Sequence, residues 1–222
     1  MIRFIDISNW QGGMVIGVDC GYEAVIVKAT EGANFVDGYC DSFVQRAELL
    51  GMPWGFYHFG GGNTAEAEAD FFVDNTFNYF GHGIPVLDWE MGQPVEWVNS
   101  FVRRVHDRTG TWPWIYANPR FFTDEVEKNC AVWVASYPDV FSPSFSQAES
   151  WECPSASGNV VAWQFCSDGL LNVWESGLDC NLFYGDRSQW QAYAKGDRRA
   201  SKTDETIKIE DDRYIVTVER KS

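Results

Sequence analysis

The sequence predicts an α/β protein, an eight-stranded barrel in which five strand-helix units are followed by three strands joined with little helix. Three observations predict it. Short apolar runs alternate with helical patterns five times between Arg3 and about Lys128. From Ala131 to Leu182 the alternation stops, and three more short strands follow with Ser-, Pro-, Gly- and Trp-rich loops between them. Asp6, Lys28, Tyr57, Asp88, Glu90, Tyr116, Gln164 and Asp179 all fall at or near strand C-terminal ends, where barrel enzymes collect their chemistry. A chain of 222 residues is long enough for one such domain with a sizeable core.

The elements follow in order. Arg3–Ser8 is a short strand running into the loop Asn9-Trp10-Gln11-Gly12-Gly13, and Ala24–Thr30 is a buried strand that turns at Glu31-Gly32. Asp41 to Leu50 reads as a helix stopped by Gly51 and Pro53. Trp54–Phe59 is the third strand, broken by Gly60-Gly61-Gly62, after which Thr64 caps a helix to about Tyr79. The apolar run Ile84–Leu87 leads into Asp88-Trp89-Glu90. Val95, Val98, Phe101, Val102 and Val105 then recur at helical spacing until Gly110. Trp114–Ala117 is the fifth strand, with a helix expected from about Pro119 to Lys128. The last three strands are Ala131–Ala135, Val160–Phe165 and Gly177–Leu182. Ser136–Gly158, with Trp151 and Cys153, carries no assignable role.

Residues 1–194 form the expected barrel. Residues 195–206 are polar and read as a linker. Residues 207–222 read as a β-hairpin, Ile207–Ile209 and Tyr214–Val218 around Glu210–Arg213. A lone two-stranded hairpin is marginal in water, so docking on the barrel or self-association through this tail is expected.

A net charge of -15 argues against nucleic acid, whose phosphates demand a basic surface. It also disfavours simple electrostatic capture by an anionic cell surface. The imbalance lies in the barrel, where residues 1–194 hold 25 acids against 9 bases. No apolar run reaches the roughly 20 residues that span a bilayer, so membrane insertion is not expected. The N-terminus shows no basic-then-apolar leader, so export is expected to use another route. The six cysteines lack C-x-x-C spacing and the three histidines stand apart from them. No metal or cofactor is expected, and most of the thiols read as buried and free, with a disulfide not deducible from spacing.

The richest stretch is Leu87-Asp88-Trp89-Glu90. In an extended chain Asp88 and Glu90 share a face with Cα atoms about 6.6 Å apart. Two acids at a buried strand end push one pKa upward. A protonated Glu beside an ionised Asp suits glycoside hydrolysis, one acid protonating the leaving oxygen and the other stabilising the sugar cation. A solvated strand end or a metal-ligand pair is the plainer reading of this stretch alone.

Seven ordered motifs add to this: Phe4-Ile5-Asp6-Ile7-Ser8-Asn9-Trp10-Gln11-Gly12, Val27-Lys28-Ala29-Thr30-Glu31-Gly32, Gly55-Phe56-Tyr57-His58-Phe59, Leu87-Asp88-Trp89-Glu90, Ile115-Tyr116-Ala117-Asn118, Trp163-Gln164-Phe165 and Leu178-Asp179-Cys180-Asn181. Together they resemble the glycoside hydrolase family 25 lysozymes, from Arg3 to about Trp190. The resemblance implies a modified TIM-like barrel, five β/α units followed by three β-strands, that cleaves the β-1,4 bond between N-acetylmuramic acid and N-acetylglucosamine in peptidoglycan with retention. It implies Glu90 as general acid/base and Asp88 as its partner, with attack by Asp88 or by the substrate's own 2-acetamido group both open. Asp6 and Asp179 match the family's other two acids. Lys28, Glu31, Tyr57, Tyr116, Trp133, Gln164 and Asn181 match groove positions. Core packing is an equal reading for Trp133, and His58 reads as a structural histidine. Gly60-Gly61-Gly62 departs from the polar residue the family commonly carries there, which bears on substrate preference. The implied partner is the glycan strand of peptidoglycan and the implied place of action the bacterial wall, reached by phage or prophage lysis. The competing readings are an inactive glycan-binding module on the same barrel, which retention of Asp88 and Glu90 disfavours, and a chitinase-like hydrolase. The second is weakened by the absence of further aspartates ahead of Asp88.

Overall fold

The computed structural model describes residues 1–196 in full, together with the backbone of two strands at 207–211 and 214–218. The strands of the main sheet are β1 (Ile2–Ile7), β2 (Ala24–Glu31), the two-residue β3 (Phe35–Val36), β4 (Trp54–Phe59), β5 (Ile84–Asp88), β6 (Trp114–Ala117), β7 (Ala131–Ala135), β8 (Asn159–Gly169) and β9 (Leu178–Phe183). Pairing runs β1-β2-β4-β5-β6-β7-β8-β9 and back to β1, so eight strands close a barrel with β3 as a flap on β2. Around the barrel all neighbours are parallel except β9, which is antiparallel to both β8 and β1, and the flap β3 runs antiparallel to β2. The eight-stranded α/β barrel is as expected from the sequence; the antiparallel course of β9 was not, and it puts Asp179 near the start of its strand rather than at a C-terminal end.

Helices α1 (Cys40–Leu49), α2 (Ala65–Thr76) and α3 (Val95–Thr109) cover the outside. Alternation along each strand sorts the side chains: Ile5, Val25, Val27, Phe56, Leu87 and Ile115 face outward and share one core with Phe72, Val73, Phe101 and Val102 of α2 and α3. Phe4, Ile26, Val86, Trp114 and Trp133 face inward. Thr64 caps α2 by accepting the Ala67 N–H at 3.3 Å. The helix expected over 119–128 does not form. Only a turn at Pro119–Phe121 is present. Asn99 of α3 explains it: its amide donates to Glu125 O and accepts from Glu127 N, both at 2.8 Å, capturing backbone groups that a continued helix would need.

Within Ser136–Gly158 a single turn, α4 (Phe145–Ala148), is fixed by a reciprocal Ser144–Gln147 cap. After β9 comes a helix that the strand pattern did not reveal, α5 (Arg187–Lys195), opened by an equivalent Asp186–Gln189 cap. It plugs the barrel floor. Trp190 is 1% exposed, packs on Phe4, Trp114 and Phe183, and donates its indole N–H to Trp54 O at 3.0 Å. The expected linker lies, from residue 197 to 206, outside the described residues. Beyond it, β10 (Ile207–Asp211) and β11 (Tyr214–Val218) pair antiparallel as a separate two-stranded sheet.

Trp190→Ala removes the floor's central side chain and leaves the Trp54 carbonyl without its donor. Urea unfolding is expected to show a loss of about 3–5 kcal/mol.

Candidate active site

The mouth of the barrel holds a cavity of about 260 Å³ lined by Asp6, Ser8, Trp10, Lys28, Tyr57, Phe59, Val86, Asp88, Glu90, Tyr116, Trp133, Tyr137, Gln164 and Asp179. Its four acids come from three places in the chain. Asp6 is the last residue but one of β1, Asp179 the second of the antiparallel β9, and the two are cross-strand partners. Asp88 is the last residue of β5, and Glu90 stands beyond the strand, exposed. The Trp89 N–H donates to Tyr116 O at 2.9 Å, carrying the β5–β6 ladder one residue further. The Trp89 indole donates to Gln93 O at 2.9 Å, which holds the turn that presents Glu90.

Asp6 is fixed by a chain of directional hydrogen bonds. Gln164 Nε2 and Asn181 Nδ2 both donate to Asp6 Oδ2, at 2.9 and 2.7 Å. Neither amide can turn round. Gln164 Oε1 accepts the Tyr116 hydroxyl at 2.6 Å and that of Tyr137 as well, while Asn181 Oδ1 accepts the Trp133 indole N–H, a group that can only donate, at 3.0 Å. Asp6 therefore serves as an acceptor.

Burial dominates the electrostatics. It pushes Asp6 up to about 6 against the pull of the two amides, and Asp179 up to about 9 with help from Asp6 and Glu90. Asp88, 9% exposed, is pushed well above the carboxylate range by burial first and then by Glu90 and Asp6; Lys28 opposes. Asp88 Oδ1 is buried and has no partner among the described residues. Of the pair, Asp88 is the buried member and Glu90 the exposed one. Lys28 lies over the Phe59 ring and pairs with Glu31.

One loop of the mouth rests on a buried pair outside the barrel. His58 bonds Thr30 Oγ1 through Nδ1 at 2.8 Å and Glu68 Oε2 through Nε2 at 3.0 Å. Glu68, reaching back from α2, accepts the Gly61 and Asn63 N–H groups at 2.7 and 2.8 Å. A Cβ at Gly61 would lie 2.9 Å from Gly32 Cα, so this crossing admits no side chain. His58 is structural, as its position one residue after the mouth-facing Tyr57 implied.

The sequence pattern of Glycosyl hydrolases family 25 matches residues 5–174. The chain belongs to glycosyl hydrolase family 25. The hydrolase is 27% identical over 192 residues to an autolytic lysozyme of Clostridium acetobutylicum, covering 82% of this chain but only 56% of that relative's length. It is 27% identical over 169 residues to an N,O-diacetylmuramidase of Chalaropsis, covering 66% of this chain and 80% of the relative. A solved bacterial lysozyme of Streptomyces coelicolor superposes with a TM-score of 0.72 at 25% identity, covering 87% of this chain and 97% of that one.

Nine of the eleven residues expected in the hydrolase's site line the cavity; Glu31 and Asn181 do not. Glu31 holds Lys28 and Asn181 holds Asp6, so both stand behind the lining. Trp133 is 2% exposed and offers no open face to a sugar. Ser8, Trp10, Phe59, Val86 and Tyr137 line the cavity without having been singled out. Trp10, 82% exposed, sits inside a quoted motif and carried that signal; Tyr137 lies in the stretch with no assigned role and carried none.

A carboxyl whose folded pKa is raised adds stability below its unfolded value, near 4, and that contribution is lost as pH rises through the folded value. For Asp6 and Asp179 the window runs from about 4 to about 6 and from about 4 to about 9. Asp179→Asn is expected to raise the thermal midpoint, by about 2–4 °C for each kcal/mol relieved. Calorimetry across pH should find the gain larger at pH 8 than at pH 5.

Proposed function

We propose that the mouth is the active site of a peptidoglycan muramidase, cleaving the β-1,4 bond between N-acetylmuramic acid and N-acetylglucosamine. The observation that carries this is the convergence of Asp6, Asp88, Glu90 and Asp179 on one cavity, in a chain of this family. Glu90, exposed on its turn, is the group free to reach a bridging oxygen, so it acts as general acid and then as base toward water. Asp88, deeper and close to Lys28, lines the cavity beneath the reacting sugar. Asp6 and Asp179 act as flanking acids: Asp6 is held in one orientation, and both raise the proton affinity of Asp88. Tyr57, Tyr116 and Gln164 line the sugar's path, while Lys28, Glu31 and Asn181 hold the charges in place. Trp10 offers its ring at the rim, where an indole face stacks on a pyranose.

The experiment compares fragments released from purified peptidoglycan by the parent and by Glu90→Gln. The parent is expected to give muropeptides with reducing N-acetylmuramic acid ends, and the variant to lose on the order of 10²–10⁴-fold or more in turnover while still binding glycan. Reducing N-acetylglucosamine ends would make the enzyme a glucosaminidase, and wall binding without fragments from either protein would make it a glycan-binding module.

The catalytic unit in this reading ends with the α5 plug, and the segment that follows serves attachment or self-association. Deleting residues 197–222 is expected to leave turnover of soluble fragments unchanged and to alter the mass in solution or the affinity for whole walls, read by light scattering and by sedimentation with wall sacculi.

A further inference from the structure

Behind the mouth, outside the barrel wall, two thiols face each other. Cys166 of β8 and Cys180 of β9 are direct cross-strand partners, flanked on both sides by irregularities in the ladder. Gln164 and Asn181, close by on the same two strands, turn into the barrel toward Asp6, whereas both cysteines belong to the outer core. Gly169 leaves the space they occupy: a Cβ there would lie 2.3 Å from Cys180 Sγ and 3.5 Å from Cys166 Sγ. The adjacent Cys180 thiol and the Asp168 and Cys180 backbone pull the Cys166 thiol below its ordinary range, against burial. A sulfur surrounded by donors beside a second thiol is the arrangement that favours a nucleophilic thiolate. A cavity of about 210 Å³, lined by Ser142, Phe145, Gly169, Leu171 and Cys180 among others, reaches the Cys180 side of the pair.

We propose that Cys166 and Cys180 are an oxidisable dithiol, a modification site at which a small two-electron oxidant of the peroxide class closes a cross-strand disulfide. The Cys166 thiolate attacks one peroxide oxygen, the O–O bond breaks, and hydroxide leaves, giving a sulfenic acid. The Cys180 thiol then attacks that sulfur, a sulfur–sulfur bond forms, and the thiol's proton leaves with the sulfenic hydroxyl as water, the proton given up by Cys166 having neutralised the first hydroxide. Two thiols and one hydrogen peroxide become one disulfide and two waters. The ring so closed encloses residues 167–179, the exposed turn after β8 together with Asp179 of the mouth. Oxidation therefore staples the base of the segment that delivers one of the four acids, and it shortens the reach of the unfolded chain.

The test treats the intact reduced protein with one equivalent of hydrogen peroxide, followed by peptide mapping without reductant and by thermal melting. The expected result is a loss of 2 Da, a linked peptide pair carrying Cys166 and Cys180, and a thermal midpoint several degrees higher that returns on reduction. In Cys180→Ala the same treatment is expected to leave oxygen adducts on Cys166, with no rise in midpoint, while a Cys153→Ala control forms the link as the parent does. Linkage through other cysteines, peroxide adducts scattered over several thiols, or a link that leaves the midpoint unmoved would each overturn the proposal. The readouts are mass and melting, so the outcome is independent of whether peptidoglycan is the substrate.

Discussion

The interaction on which the mouth depends is the one that holds Asp6. A buried carboxylate is costly unless its oxygens are bonded, and here one oxygen receives two amides from strands 158 and 175 residues away in sequence. Those amides are oriented in turn by two phenols and an indole. Every member of this chain but Tyr137, which lies in the loop after β7, is a side chain on the barrel's inner face, so the strands must be in register for it to form. The antiparallel β9 makes that possible, by setting Asp179 opposite Asp6 and placing Asn181 two residues further along the same strand. The geometry of the mouth and the closure of the barrel are the same event.

The mouth concentrates negative charge in a place that water reaches poorly, and the rest of the molecule compensates. Lys28 brings the one positive charge among the lining residues, kept over the ring of Phe59 and tied to Glu31. Below it the barrel interior is aromatic and nearly dry, from Trp133 and Phe4 down to the Trp190 plug. Acid chemistry above and dense packing beneath divide the barrel into a strained upper half and a stabilising lower half. That division is what lets three raised carboxyls coexist in one fold.

Much of this was legible in the residues. Short apolar runs placed the eight barrel strands within a few residues, because a strand buried on both faces has few alternatives, and the resemblance named nine residues that line the cavity, eight of them within the ordered motifs. What escaped was decided by contacts remote in sequence. The failed helix after Pro119 loses its hydrogen bonds to Asn99, which lies on another helix. The α5 plug carries the sequence sign of a cap at Asp186 and Gln189, but its purpose depends on a barrel floor that no local pattern reveals. Glu68 looks like an ordinary first-turn acid until the fold brings His58 and the glycine loop to it. Tyr137 sits in an irregular stretch whose path is set by the strands on either side.

The pairing of β1 with β9 also governs how the molecule comes into being. A protein whose first strand must wait for its last has contacts of high sequence separation, which slow folding and expose unpaired edges meanwhile. On the ribosome, β1 and β2 can pair early, but Asp6 meets neither amide until Gln164 and Asn181 have emerged, and the floor stays open until Trp190 follows. The mouth thus takes shape only near the end of synthesis of the barrel, and a chain cut short before β9 carries Asp88 and Glu90 yet has no closed barrel in which to hold them.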